Sequence, residues 1–190
     1  MNPILTIAVL SVPSRTRTFL PYIVDKLDAQ TQGRPVELLL LLDNKTRTIG
    51  RKRNDLIRLA QGQYIVFVDD DDDVTDDFVD EILEAAKSGA DVIVFDIWVT
   101  LDGESGKNCR YGLDLVYENL DSAYHRKPNG RMACRTDIAR RIPYQDISLG
   151  EDDRWGEAFG IVAKTQHRIE KNLSFYKFDS KLTEAQKGGQ

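Results

Sequence analysis

Two hydrophobic periods alternate along the first hundred residues of the chain. Residues 4–10 and 36–42 are almost unbroken apolar runs and read as strands, the second covered on both faces. Residues 21–29, between them, place Tyr22, Ile23 and Leu27 on one side of a helix. A second helix is predicted over residues 48–61, with Ile49, Leu56, Ile57 and Ala60 inward and Gly62 near its end. A third strand covers residues 64–68. Thr75 is placed to cap a third helix that carries Phe78, Val79, Ile82, Leu83 and Ala86, with Gly89 after it. A fourth strand covers residues 91–95. Strand and helix repeated in this way predict an α/β fold: a mostly parallel, doubly wound sheet with helices on both faces.

After Trp98 the regularity fades. Asp102-Gly103-Glu104-Ser105-Gly106 reads as a turn joining two antiparallel strands, a small extension of the sheet. A basic stretch from Arg126 to Arg141 is broken by Pro128-Asn129-Gly130, and Gly150-Glu151-Asp152-Asp153 opens another helix. With 190 residues, one domain over 1–179 is expected, built of a first half (1–97) and a second half (98–179). Residues 180–190 are polar and end in Gly-Gly-Gln, as in a flexible tail.

Charge alters this picture at one place. The net charge is -5, yet ten of the 31 acids fall within residues 69–84, where there is no base. The remaining 21 acids face 26 bases, so a concentrated acidic cluster sits in a mildly basic body. Cys109 and Cys134 have no metal-site spacing, and two thiols make no disulfide framework, which suits a reducing, cytoplasmic setting. No apolar run approaches the roughly 20 residues that span a bilayer, and none has the form of a signal peptide.

The cluster follows directly on a strand, in Tyr64-Ile65-Val66-Phe67-Val68-Asp69-Asp70-Asp71-Asp72-Asp73. Ligands of open α/β sheets bind at the carboxyl ends of strands. Adjacent carboxylates cost free energy unless positive charge sits among them. A divalent cation, Mn2+ or Mg2+, meets that need, with a nucleotide diphosphate supplying its remaining ligands.

Five motifs stand in an order that resembles the family 2 glycosyltransferases of the GT-A fold, from about Leu5 to Phe178. They are Val12-Pro13-Ser14-Arg15 after strand one, Asp43 after strand two, Arg51-Lys52-Arg53-Asn54 on the next helix, Asp69-Asp70-Asp71 after strand three, and Gly150-Glu151-Asp152. The resemblance implies a UDP-sugar donor cradled by Pro13, Ser14 and Arg15. It implies Asp43 on the uracil, Arg53, Asn54 and Asp70 at the nucleotide, and Asp69 toward the ribose. Asp71, with Asp69, would hold the cation, and His167 is a candidate third ligand. The pairs Asp70/Asp72 and Asp71/Asp73 satisfy the same spacing. Asp152, with Glu151 beside it, matches the family's general base, which takes the proton of an acceptor hydroxyl in an inverting displacement. His125, Arg126, Lys127 and Arg131 are candidates for stabilising the leaving diphosphate. The acceptor is open: a glycan, a lipid-linked intermediate, a small molecule, a protein or a modified nucleobase. Trp155, three residues past Asp152, is either packing or a platform for an acceptor ring.

Two other readings use the same residues. A haloacid-dehalogenase-like phosphatase would take Asp70 as its nucleophile, although that motif normally follows the first strand of its fold. A non-enzymatic calcium-binding or interaction module would account for the acids, but not for the series Pro13, Asp43, Arg53 and Asn54.

Overall fold

The computed structural model describes residues 2–178. Three strands, β1 (Leu5–Ser11), β2 (Val36–Leu42) and β3 (Tyr64–Asp69), run parallel with β1 in the middle. A turn of 3-10 helix at Pro13–Arg15 leads from β1 to α1 (Phe19–Thr31), and α2 (Ile49–Leu59) follows β2. The short β4 (Asp73–Val74) and α3 (Phe78–Ala86) precede the long β5 (Val92–Leu101). An extension, β6 (Lys107–Tyr111), β7 (Glu118–Asn119) and β8 (Ala123–Arg126), grows from the end of β5. The chain returns through β9 (Ala133–Arg135), α4 (Thr136–Ala139), α5 (Glu151–Val162) and β10 (Gln166–Phe178).

β9 is wedged antiparallel between β3 and β5, so β5 keeps the direction of β1, β2 and β3. β10 lies parallel to β5 along its length, then pairs antiparallel with β4. The five main strands therefore point one way, as the sequence predicts. α1 packs against α3 and α2 against α5, which covers the sheet on both faces. The apolar alternation is met inside: Ile7, Val9, Val66, Val92, Val94 and Phe95 are fully enclosed.

Three expectations change. β2 forms the edge of the sheet and is half-buried, with Leu40 and Leu42 exposed, because it pairs on one side only. β5 continues to Leu101, past the end expected at residue 95, because Ile97 and Val99 carry the inward alternation onward. The acid Asp77, not Thr75, stands at the N-cap of α3, and the Thr75 hydroxyl donates to Asp77 Oδ1 at 2.7 Å. Residues 180–190 lie outside the described residues. The turn at Asp102-Gly103 is as expected: both residues have positive φ, and β5 and β6 pair antiparallel around it.

Close backbone approach fixes the relation between α2 and the segment leading to α5. A Cβ on Gly50 would lie 1.9 Å from the Gln145 carbonyl oxygen, and the Gly50 amide donates to Ile147 at 3.0 Å. Only glycine permits this contact, which brings the first turns of the two helices together.

Candidate active site

The register places Leu10 beside both Leu41 and Asp69, so β1, β2 and β3 end level with one another. Ser11, Asp43 and the acidic loop thus meet at one edge of the sheet, with the amino-terminal turn of α5 opposite. The positive charge demanded by the acids comes from three arginines and Lys26, on four separate elements. Arg15, from the turn after β1, reaches Asp70 Oδ1 at 2.5 Å and Asp71 Oδ2 at 2.9 Å. Arg131, from the loop before β9, bridges Asp69 and Asp72. Arg53, on α2, lies 3.5 Å from Asp69 Oδ1. The Ser11 hydroxyl donates to Asp70 Oδ2 at 2.6 Å, and Lys26 and Tyr22 hold Asp73.

These partners set the protonation of the loop. Burial works against the Asp69 charge, but Arg131, Arg53 and Arg15 outweigh it and hold its carboxyl below the ordinary range. Burial dominates at Asp72; only part of it is offset by Arg131, and the neighbouring Asp69 and Asp71 charges add to it, so Asp72 rises to about 7. Burial and the Asp69 charge also raise Asp71. Asp72 Oδ1 is buried without a hydrogen-bond partner among the described residues.

Arg53 is almost completely enclosed, its guanidinium lying 4.8 Å from the centre of the Phe67 ring. Its Nη2 donates to Asp152 Oδ2 at 3.1 Å, and its Nε lies 3.8 Å from Glu151 Oε1. The N-cap of α5 is Gly150 in the left-handed region, so both acids fall in the first helical turn. Negative side chains there are favoured by the helix dipole. Burial, then the adjacent Asp152 charge, push Glu151 up to about 7.

The other predicted residues fall as follows. Asp43 pairs with Lys52 Nζ at 2.9 Å, both side chains only 6% exposed. Pro13 and Ser14 stand exposed at the rim. Asn54 is held by the segment before α5: its amide brackets the Tyr144 backbone, donating at 2.9 Å and accepting at 2.8 Å. His167 is not brought to the acids. It is exposed and pairs with Ile93 near the start of β5, at the amino-terminal end, because β10 runs parallel to β5. The loop acids contact β10 about seven residues later, some 20 Å along the strand at about 3.3 Å per residue.

Of the four basic candidates, Arg131 reaches the acids. His125 Nδ1 lies 3.7 Å from Glu118, Arg126 packs over the Tyr117 ring, and Lys127 donates to the Leu113 carbonyl. Trp155 is enclosed between Tyr144 and Phe159, each ring centre 4.9 Å away, so it is packing rather than an acceptor platform. Asp70 is buried between Ser11 and Arg15, directly after the third strand rather than the first, unlike a phosphatase nucleophile. Lys52 and Arg53 were legible as inward residues in one respect: Arg53 stands three and four positions before Leu56 and Ile57, on the apolar stripe of α2.

The fit of a divalent cation follows from the donor set. Asp69 and Asp71 offer the hard carboxylate oxygens that Mg2+ and Mn2+ prefer. Among the described residues no three His, Cys, Asp or Glu side chains converge on one point. The residues fit a cation shared with a diphosphate, not one caged by protein alone.

A family model described as glycosyl transferase family 2 matches residues 21–140, more than half of the chain. The chain belongs to glycosyltransferase family 2. No curated protein matches it. Solved structures of Staphylococcus aureus TarS are similar in fold. TarS 1–349 superposes with a TM-score of 0.67 at 14% identity, over 91% of this chain and 60% of that one. Its complex with UDP-GlcNAc gives 0.69 at 11% identity, over 98% and 61%. Its complex with UDP gives 0.66 at 12% identity, over 92% and 60%. This family 2 chain thus spans about three fifths of the length of those TarS chains. Among the described residues no helix is long and apolar enough to cross a membrane.

Proposed function

We propose that the chain transfers a sugar from a UDP-sugar to an acceptor hydroxyl, with inversion at the anomeric carbon and with the help of a divalent cation. One observation carries this reading. Arg53 Nη2 lies 3.1 Å from Asp152 and 3.5 Å from Asp69. The two carboxylates are therefore within two hydrogen-bond lengths of each other, about the breadth of a sugar ring. That is where a base must stand if the donor diphosphate lies against the acidic loop. The TarS complexes with UDP and UDP-GlcNAc support the donor class.

In this mechanism Asp43 and the turn Pro13–Arg15 bind the nucleotide, at the level where β1 and β2 end. Asp71 and Asp69 would hold the cation, which supplies Lewis-acid stabilisation of the leaving diphosphate. Asp152 accepts the acceptor hydroxyl proton as that oxygen bonds to the anomeric carbon. The bond from the anomeric carbon to the diphosphate breaks at the same time, and its electron pair leaves with UDP. Arg53 holds the Asp152 carboxylate toward the donor. The two buried free thiols, Cys109 and Cys134, suit a reducing, cytoplasmic setting.

A panel of nucleotide sugars with Mn2+, read by UDP release and by the anomeric configuration of the product, tests the reading. Turnover of a UDP-sugar to an inverted product is expected. A retained configuration, or preference for a non-uridine donor, contradicts it.

A further inference from the structure

Each acid from Asp69 to Asp72 is engaged by a guanidinium. Asp69 and Asp72 are spanned by Arg131, while Asp70 and Asp71 are spanned by Arg15. A cation approaching Asp69 or Asp71 meets oxygens already engaged by guanidinium groups. The Arg131 backbone is firmly placed: its amide donates to Asn129 Oδ1 at 3.0 Å, and the neighbouring Gly130 carbonyl accepts from the Phe67 amide at 2.8 Å. The guanidinium lies 4.6 Å from the centre of the Tyr176 ring, on β10. A fixed backbone carrying a long arm against an aromatic face lets the guanidinium move without moving the loop.

We propose that Arg131 is the resident cation of the donor site. It neutralises Asp69 and Asp72 while the site is empty, and yields Asp69 to a divalent cation when a nucleoside diphosphate arrives to receive its guanidinium. The proposal rests on the donor reading above and makes Arg131 a donor-binding residue.

Three considerations support the exchange. The four acids are adjacent, so removing one guanidinium without a replacement leaves like charges a few ångströms apart. A guanidinium that leaves carboxylates finds its best alternative in a diphosphate, which offers the same two-pronged acceptor geometry. No three ligating side chains converge among the described residues, so the cation needs diphosphate oxygens as well. Cation and nucleotide then bind cooperatively through Arg131, each raising the affinity of the other by the same factor.

Arg131→Met separates this role from a structural one. Calorimetry and Mn2+ electron paramagnetic resonance would measure Mn2+ alone, UDP in chelator and UDP with saturating Mn2+. In the native protein, UDP is expected to strengthen Mn2+ binding roughly tenfold or more. In Arg131→Met, Mn2+ alone binds roughly tenfold more tightly than to the native protein, UDP with Mn2+ binds more weakly, and the mutual enhancement shrinks to the part that shared coordination supplies. Mn2+ should also raise the melting temperature of the variant more than that of the native protein, because it replaces the missing charge. Unchanged or weaker binding of Mn2+ alone to a folded variant overturns the proposal. If Arg131→Met does not fold, Arg131→Lys is read instead. A single ammonium cannot span both acids as the fork does, so tighter Mn2+ binding is again expected and its absence again overturns the proposal. If the native protein binds no Mn2+ even with UDP, the donor reading itself fails, and the exchange falls with it.

Discussion

Arg53 and Asp152, 99 positions apart in the chain, meet at 3.1 Å beneath the edge where the parallel strands end. The contact joins the helix after β2 to the helix before β10. Through its second neighbour, Asp69, it ties the acidic loop to the amino end of α5. An arginine this enclosed, lying over Phe67 and Tyr144, cannot follow solvent and keeps both carboxylates in place.

Asp152→Asn tests the base. The N-cap of α5 is Gly150, so the substitution removes charge without removing a cap. Transfer should fall by about 10²–10⁴, the usual cost of losing a general base, while UDP binding stays near normal. Transfer within a few-fold of the native rate moves the base to another residue, with Glu151 the next to test.

Asp43→Ala should weaken UDP binding by about 1.5–3 kcal/mol, the worth of a charge-assisted hydrogen bond. The structure adds a second effect. Lys52 would be left buried without its partner, costing roughly 3 kcal/mol of folding stability. Denaturant unfolding and UDP titration measure the two separately. Native nucleotide affinity in the folded variant contradicts the assignment of Asp43 to the base.

Asn54→Ala should destabilise the protein by about 1–3 kcal/mol, because the Tyr144 backbone loses both of its partners. UDP affinity of the folded fraction should not change. A selective loss of UDP affinity at native stability would return Asn54 to the nucleotide.

Glu151 predicts a pH dependence. Its folded value, about 7, lies above the ordinary glutamate value of 4.5, so the folded protein holds a proton that the unfolded chain releases. The stability from this group is complete below about pH 4.5 and is lost as pH rises through 7. Asp72, also raised to about 7, acts in the same direction. Glu151→Gln should remove a slope of at most about 1.4 kcal/mol per pH unit across this window. Urea unfolding of both proteins between pH 4.5 and 8 checks it; parallel pH profiles contradict it.

Strand ends carried most of what was legible in the sequence. Asp43, Asp69 and the turn at Pro13 each follow an apolar run directly, so placing the runs placed them. Arg53 was found by motif, and its burial follows from sharing a helical stripe with Leu56 and Ile57. Asn54 and His167 stand apart from the acidic loop because their positions depend on contacts far along the chain. Asn54 is claimed by the Tyr144 backbone, on a segment positioned by the close approach at Gly50. His167 depends on the direction in which β10 joins β5, which no local pattern specifies. The sequence reading meets the charge of the acidic loop with a divalent cation, whereas Arg15 and Arg131 lie on its carboxylates. These two arginines arrive from separate elements, which no local pattern in the sequence specifies.

The most direct test of a shared cation–nucleotide site is calorimetric titration of UDP into the native protein, once with Mn2+ and once with a chelator. UDP should bind in Mn2+ and lose at least about tenfold in affinity in the chelator. Equal affinity in the two conditions would contradict a donor site in which Asp69 and Asp71 share a cation with the diphosphate.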